Sequence, residues 1–277
     1  MITGHTSFIA HIGYPTTTFR APMIYNPYFE KNDIDCIVVP MGCKAEDFPA
    51  FLPAVFRLTN IRGALITMPH KVSVLEMADH VLPAAKIAGA SNAIRREADG
   101  TLTADMFDGE GFARGVERKG QAIAGKRVLV VGAGGVGSAI AASLAARSPA
   151  ELMLFDVNAS TAEKLAARLR QHYPALAVAT GSNDPAGFDI VVNATPLGMN
   201  EGDPMPMEIG RIEPSAFVGE VVLKKEMTAF LTAAAARGCR VQIGLDMLFE
   251  MIPAYLEFFG FPSASADELR AVARFAI

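Results

Sequence analysis

The 277-residue chain lacks several features that would assign it to a specialised class of protein. No window holds the ~18 uninterrupted apolar residues that a membrane span requires. The first residues have neither the charged region nor the apolar run of a signal peptide. The net charge is −4 with both signs interspersed, so no basic surface for nucleic acid is indicated. We therefore expect a cytoplasmic protein that binds neither membranes nor nucleic acids.

Cysteine and histidine are also scarce. Cys36, Cys43 and Cys239 form no C-x-x-C pair and no even disulfide framework, so we expect buried, reduced thiols. The five histidines have neither paired spacing nor an accompanying carboxylate cluster, so no metal site is predicted. One of them, His70, is interpreted as a surface residue. With 51% hydrophobic and 19% charged residues, the chain has the composition of a protein with a sizeable core.

The most informative stretch is a glycine-rich turn between an apolar strand, 128–131, and an alanine-rich helix that runs to about residue 147. The turn has the G-x-G-x-x-G pattern that is typical of dinucleotide binding when it follows a strand and opens a helix. Its first glycine permits a tight turn, the second lets the backbone approach a pyrophosphate, and the third lets the helix pack on the strand. The helix N-terminus attracts phosphate. The predicted cofactor-binding residues of the turn are Gly132, Ala133, Gly134, Gly135, Val136 and Gly137.

An acidic residue, Asp156, ends the second strand of the same predicted domain. A carboxylate at this position can bind the ribose hydroxyls of NAD and repels the 2′-phosphate of NADP. No arginine lies in residues 157–161, where a 2′-phosphate would require one. We therefore expect NAD as the cofactor and consider NADP less favoured.

Strands and helices alternate along most of the sequence, which predicts an α/β fold with parallel pairing and right-handed crossovers. A strand–turn–strand at 91–105 interrupts the alternation. We expect an N-terminal α/β substrate domain over 1–107 with one parallel sheet, and a Rossmann dinucleotide-binding domain over 108–244. The C-terminal helices, 245–277, are expected to return to the first domain and to end in a helix over 266–277. The active site would lie in the cleft between the domains.

Five blocks of the sequence resemble the shikimate/quinate dehydrogenase family, and the first three have the family's order and spacing. They are residues 63–71, 89–92, 108–111, 193–199 and 244–248. The resemblance covers nearly the whole chain. It implies an oxidoreductase that transfers a hydride between a nicotinamide cofactor and a ring hydroxyl or ketone of shikimate, quinate or a related alicyclic acid. Aromatic amino-acid biosynthesis and quinate metabolism are the implied contexts, and a monomer or homodimer is expected.

The resemblance also implies roles for single residues. Lys71 and Asp108 would form the acid/base pair, Asn92 would orient the substrate hydroxyl, and Thr67 would be a further hydroxyl contact. The chemistry agrees, because oxidation of an alcohol needs a group that accepts the hydroxyl proton. A lysine and an aspartate in contact tune each other's proton affinity. The further cofactor-binding residues implied are Asn193, Ala194, Thr195, Pro196 and Gly244.

The substrate-binding positions depart from the family pattern. The first block of the family usually reads Ser-x-Ser-Pro, with both hydroxyls on the substrate carboxylate, and Phe19 and Ala21 stand there in this chain. Leu65 stands where asparagine is usual, a tyrosine is usual near Leu223, and a glutamine is usual near Met251. Phe19, Ala21 and Met251 are therefore predicted substrate-binding positions with altered chemistry. Each unpaired buried polar group costs about 1–3 kcal/mol, so we expect a less hydroxylated or modified alicyclic hydroxy acid as the substrate.

Three alternatives stay open. If the register of the first loop differs, Thr16, Thr17, Thr18 or Arg20 could restore a carboxylate contact. The chain could also be a catalytically weak homologue that binds NAD or a metabolite and regulates another process. A different two-domain NAD enzyme, such as a folate-type methylene dehydrogenase, would share only the architecture.

Overall fold

The computed structural model describes residues 2–274, except for the side chain of Thr18. It is an α/β protein with strands and helices in alternation. The strands are β1 (Ser7–Gly13), β2 (Cys36–Gly42), β3 (Ile61–Ile66), β4 (His80–Val81), β5 (Ala93–Arg96), β6 (Leu102–Asp105), β7 (Arg127–Val131), β8 (Glu151–Phe155), β9 (Ala177–Thr180), β10 (Ile190–Asn193), β11 (Phe217–Glu220) and β12 (Arg240–Gln242). The helices are α1 (Pro22–Lys31), α2 (Phe48–Val55), α3 (Pro83–Ala88), α4 (Asp108–Arg118), α5 (Gly135–Ala145), α6 (Ala159–His172), α7 (Ala229–Ala236), α8 (Gly244–Phe258) and α9 (Ala266–Val272).

The chain divides into two compact units. The N-terminal unit consists of Met1–Phe107 with Ile252–Ile277, and the C-terminal unit of Asp108–Met251. The boundary near the C-terminus therefore lies inside α8, a few residues after the position expected from the sequence. The predicted closing helix is shorter than expected, because α9 ends at Val272. The predicted end of that helix, at residue 277, lies outside the described residues.

The N-terminal unit contains a six-stranded sheet in the order β2-β1-β3-β5-β6-β4. β1 is parallel to β2 and β3, whereas β5 is antiparallel to both β3 and β6. The sheet is therefore mixed rather than parallel, because the strand–turn–strand adds a hairpin to it. One face of the sheet packs on α2, through Phe48 and Leu52, which are fully buried. Phe259, which directly follows α8, also packs closely on this sheet, since a Cβ on Gly63 would collide with its ring.

The C-terminal unit contains a parallel six-stranded sheet in the order β12-β11-β10-β7-β8-β9. The chain runs outward from β7 through β8 to β9 and then returns to β10 on the other side of β7. This reversal creates a topological switch point at the carboxyl ends of β7 and β10, which is where open α/β sheets bind ligands. Residues 128–131 are at most 2% exposed, as expected for a central strand covered on both faces. Among the described helices, none has the length and apolarity that a bilayer crossing requires.

Candidate active site

The glycine-rich turn after β7 has no room for side chains at its two ends. Gly132 adopts a left-handed conformation with φ of +103°, and a Cβ there would lie 2.8 Å from the carbonyl carbon and oxygen of Ala194. A Cβ on Gly137 would collide with the carbonyl oxygen of Gly132. The conformation at Gly132 is one that only glycine adopts without strain. Both positions therefore need glycine for steric reasons alone.

The middle of the turn is open. A Cβ on Gly134 or on Gly135 would meet no atom within 4 Å. Gly134 precedes the first residue of α5, so the bare backbone of both residues lies at the N-terminus of a helix. Free N–H groups and the helix dipole favour an anionic ligand there. The turn thus fits the pyrophosphate of a dinucleotide.

Asp156, which directly follows β8, stabilises the glycine-rich turn through its carboxylate. Its Oδ2 accepts a hydrogen bond from the backbone N–H of Ala133 at 2.8 Å, and its Oδ1 accepts one from the N–H of Asn158 at 2.9 Å. Hydrogen bonds from backbone N–H groups to a carboxylate are charge-assisted and strong. The carboxylate therefore connects the glycine-rich turn to the turn that begins α6.

Asn193, which ends β10 and is fully buried, shapes the neighbouring loop. Its Nδ2 donates to the carbonyl oxygen of Leu197 at 3.0 Å, and its Oδ1 accepts from the backbone N–H and the hydroxyl of Thr195. Ala194 donates its N–H to the Val131 carbonyl, which places this loop beside the glycine-rich turn. The side chain thus fixes the loop 194–197 at the switch point.

Glu220 ends the next strand, β11, in register with Asn193, and sequence reasoning did not single it out as a site residue. Its side chain is fully buried, Oε2 accepts a hydrogen bond from the Thr228 hydroxyl at 2.9 Å, and Oε1 has no partner among the described residues. Burial raises the pKa of this carboxyl to about 7, although the Thr228 hydrogen bond partly opposes the shift. An acidic residue at the end of an otherwise apolar strand was the available signal.

Asp108 is the first residue of α4 and is 6% exposed. Two glycines let this helix pack closely: a Cβ on Gly109 would collide with the carbonyl oxygen of Ala139 in α5, and one on Gly111 would lie 2.6 Å from the Cβ of Met251 in α8. Gly244, where α8 begins, has no room for a side chain because of the Val222 carbonyl. The start of α4, and with it Asp108, is therefore held rigidly within the C-terminal unit.

The predicted residues of the N-terminal unit come together at the end of β3. Thr67 donates its N–H to the carbonyl of Ile12 at 3.0 Å, and the carbonyl of Lys71 accepts from the N–H of Ser91 at 2.7 Å. Asn92, which is 2% exposed, accepts with its Oδ1 from the N–H of Phe107 at 2.9 Å. The blocks that carry Thr67, Lys71 and Asn92 are thus neighbours, and Asn92 anchors the residue that precedes Asp108 in the chain.

His70 corrects one interpretation of the sequence. It is not a surface residue: it is 1% exposed, its ring stacks on Phe48 with 3.9 Å between centroids, and its Nε2 lies 2.8 Å from the carbonyl oxygen of Cys43. Packing of α2 against the turn after β3 buries the ring, which the local sequence does not reveal. The expectation of buried, free cysteines is confirmed for Cys36, Cys43 and Cys239. Among residues 2–274, no group of three or more metal-ligating side chains occurs.

Phe19 lies against a histidine that sequence reasoning did not single out. The Phe19 ring stacks on His11 with 3.9 Å between centroids and 23° between planes. Ala21 is half-buried at the start of α1, and Leu65 is 5% exposed in β3. Met251 belongs to the C-terminal unit. The alternative carboxylate contact through Thr18 involves a side chain that lies outside the described part of the structure.

Comparison with known proteins decides the family. Residues 12–94 match the family described as Shikimate dehydrogenase substrate binding domain, and residues 114–198 match Shikimate / quinate 5-dehydrogenase. The chain belongs to the shikimate dehydrogenase family. A relative from Geobacter metallireducens, named Shikimate dehydrogenase (NADP(+)), is 32% identical over 255 residues, which are 89% of this chain and 88% of the relative. The resemblance found in the sequence is confirmed.

Two solved structures extend the comparison. The shikimate 5-dehydrogenase of Listeria monocytogenes in complex with shikimate and NAD has a TM-score of 0.91 and 26% identity, and the match covers 98% of this chain and 97% of that chain. Ligand-free 5-ketofructose reductase of Gluconobacter sp. strain CHM43 has a TM-score of 0.88 and 26% identity, with 97% and 98% covered. This shikimate dehydrogenase family member is thus a shikimate/quinate dehydrogenase-like oxidoreductase with a substrate domain and a Rossmann domain.

The relatives overturn the expected cofactor. Asp156 and the absence of a nearby arginine favour NAD, whereas the Geobacter relative and seven others, 28–34% identical, are all named for NADP(+). The prediction of NAD was wrong. Asp156 gives the physical reason, because both of its oxygens accept backbone N–H groups. Its carboxylate stabilises the turn, so its presence in the sequence does not by itself indicate a ribose contact.

Proposed function

We propose that this family member is an NADP-dependent oxidoreductase that interconverts a ring hydroxyl and the matching ketone in a compound related to shikimate or quinate. The observation that carries the proposal is that a chain of this family contains both a sterically constrained glycine-rich turn and the three residues Lys71, Asn92 and Asp108. The implied contexts are aromatic amino-acid biosynthesis and quinate metabolism.

The chemistry assigned to the chain's own residues is proton transfer. Oxidation of the alcohol releases a hydride, which NADP⁺ accepts when bound, and a proton, which the Lys71–Asp108 pair takes from the hydroxyl; reduction of the ketone reverses both transfers. Thr67 would bind a neighbouring hydroxyl. Asn92 would donate a hydrogen bond from its Nδ2 to the substrate oxygen, since its Oδ1 accepts one from the N–H of Phe107.

The glycine-rich turn and the loop 194–197 are assigned to the cofactor. The backbone N–H groups at Gly134 and Gly135 would hold the pyrophosphate, because the space beside them is open. Asn193 would act indirectly, by fixing Ala194, Thr195 and Pro196 beside the turn. Gly244 would let the start of α8 approach the loop that follows β11.

The test is replacement of the proposed proton carrier. Lys71→Ala should lower kcat for shikimate or quinate oxidation by about 100-fold or more, because general acid/base catalysis contributes about 10²–10⁴-fold. The measurement is NADPH absorbance under steady-state conditions. Lys86→Ala is the matched control, since Lys86 is an exposed lysine of the same unit. Activity of Lys71→Ala equal to that of the control would contradict the proposal.

The cofactor needs its own measurement. We expect kcat/KM for NADP⁺ to exceed that for NAD⁺ with the same alcohol, as in the relatives' names. A preference for NAD⁺ would overturn the cofactor assignment but leave the reaction class intact. No turnover of any ring alcohol with either dinucleotide would overturn the reaction class.

A further inference from the structure

His11 is a polar residue placed among apolar ones. It lies in β1, in register with Pro40 of β2 and Leu65 of β3, and only 9% of its surface is exposed. Its Nδ1 is buried and has no hydrogen-bond partner among the described residues. Buried ring nitrogens are normally satisfied by protein or water, so a lone one in a strand of the site calls for a ligand or a special environment.

Phe19 covers this imidazole. The two rings stack nearly parallel, and both lie next to the end of β1: a Cβ on Gly13 would lie 3.0 Å from the Phe19 ring and would collide with the Thr67 methyl group. His11, Phe19 and Thr67 therefore line one continuous region of the N-terminal unit. Thr67 belongs to the same block of sequence as Lys71.

His11 is neutral at physiological pH. Burial, and secondarily the positive charge of Lys71, lower its pKa to about 4. This region thus offers a flat apolar face and one uncharged hydrogen-bonding ring, and the resemblance matches Phe19 and Ala21 to two serines of the family.

We propose that His11 and Phe19 form a specificity-determining pair that favours a substrate whose end at this surface is uncharged, such as an ester, amide, hydroxymethyl or keto group, over one with a carboxylate. The inference rests on the proposed function. A buried carboxylate needs several donors or a paired charge, and Phe19 and Ala21 contribute no side-chain donor to this surface. An uncharged group can stack on Phe19 and exchange one hydrogen bond with the neutral imidazole.

The experiment compares shikimate with methyl shikimate, which differ only in the charge of the carboxyl group. With NADP⁺, wild-type kcat/KM should be at least about tenfold higher for the ester, the scale of discrimination expected from one unpaired polar group. Phe19→Ser combined with Ala21→Ser should shift that ratio at least tenfold toward shikimate. His11→Val should raise KM for the ester while kcat changes little, and His5→Val, an exposed histidine of the same unit, should change neither.

Binding of the same two compounds, measured as the rise in Tm, separates this inference from the proposed function. A wild-type preference for shikimate, or a ratio unchanged by the double serine variant, would overturn the inference while leaving the reaction class standing. Absence of turnover with a clear binding preference for the ester would support the inference and overturn the reaction class. Equal binding or no binding of both compounds would overturn the inference.

Discussion

His11 in the N-terminal unit and Glu220 in the C-terminal unit are both ionisable side chains buried in strands, and burial shifts the pKa of each toward favouring the uncharged form. They differ in what surrounds them. Glu220 has a hydroxyl partner, Thr228, and is in register with Asn193, the residue before the loop 194–197. His11 has an aromatic ring on its face and no partner for Nδ1 among the described residues. Their opposite charge types also give the two units opposite expected responses to pH.

The same contrast between the two units holds for the residues that are proposed to bind the cofactor and the substrate. In the C-terminal unit, Gly132 and Gly137 cannot be replaced without a collision, because a Cβ there would meet backbone atoms of Ala194 or Gly132. The N-terminal unit has Lys71, Asn92 and Thr67, which are proposed to act on the substrate, together with the apolar side chains of Phe19 and Ala21. A common cofactor requires a fixed backbone geometry, whereas a substrate pocket can change through side chains alone. The two units are therefore under different physical constraints.

The largest effect is expected within the glycine-rich turn. Gly137→Ala should destabilise the C-terminal unit by at least about 3 kcal/mol, because its Cβ would overlap a backbone oxygen that cannot move away. Gly134→Ala should remain within about 1 kcal/mol of wild type, since its φ is −69° and its Cβ would meet open space. Urea unfolding followed by circular dichroism measures both.

The matched pair also separates folding from function. Gly134→Ala should raise KM for NADP⁺ although its stability is unchanged, because the added methyl group would occupy space assigned to the pyrophosphate. Equal stabilities of the two variants would refute the steric account of the turn. Unchanged KM in a stable Gly134→Ala variant would refute the assignment of the open side to the cofactor.

The next largest effect is the pH dependence of stability that Glu220 causes. Its folded pKa of about 7 lies above the ordinary value of 4.5, so the folded state disfavours the charged form and stability falls as the pH rises from about 4.5 through 7. Glu220→Gln should remove about 2–3 kcal/mol of that decline between about pH 5 and pH 8. Urea unfolding at the two pH values gives the difference. Glu213→Gln, which changes an exposed carboxylate, is the control and should retain the decline.

Ionisation of His11 should change the free energy of unfolding with pH in the opposite direction and by a slightly smaller amount. Its folded pKa of about 4 lies below 6.5, so the unfolded state gains a proton first and stability falls as the pH drops from about 6.5 to 4. His11→Val should abolish about 2 kcal/mol of the loss between about pH 7 and pH 5. The exposed His5→Val is the control. If wild type and His11→Val lose stability in parallel, the imidazole is not held neutral.

These cases show which properties the sequence determines locally. The alternation of elements, the glycine-rich turn and the blocks around Lys71, Asn92 and Asp108 can be recognised because each depends on spacing along a short stretch. The burial of His70 and His11 cannot, since it comes from Phe48 and Phe19, which the fold brings from other parts of the chain. The role of Asp156 was misjudged for the same reason. Its type and position were clear, but its hydrogen bonds to backbone groups follow only from the three-dimensional turn.

Asp156→Asn should give the smallest effect and shows how the carboxylate acts. Asparagine keeps one acceptor oxygen, but its amide group would face a backbone N–H, so we expect a loss of about 1 kcal/mol in stability. Because both dinucleotides need the same turn, KM for NADP⁺ and for NAD⁺ should rise by the same factor, within about twofold. Steady-state kinetics with each cofactor provide the measurement. A fall in KM for NADP⁺ alone would instead show that Asp156 acts by charge on the 2′-phosphate, and the C-terminal unit would then select its ligand through a side chain, as the N-terminal unit is proposed to do.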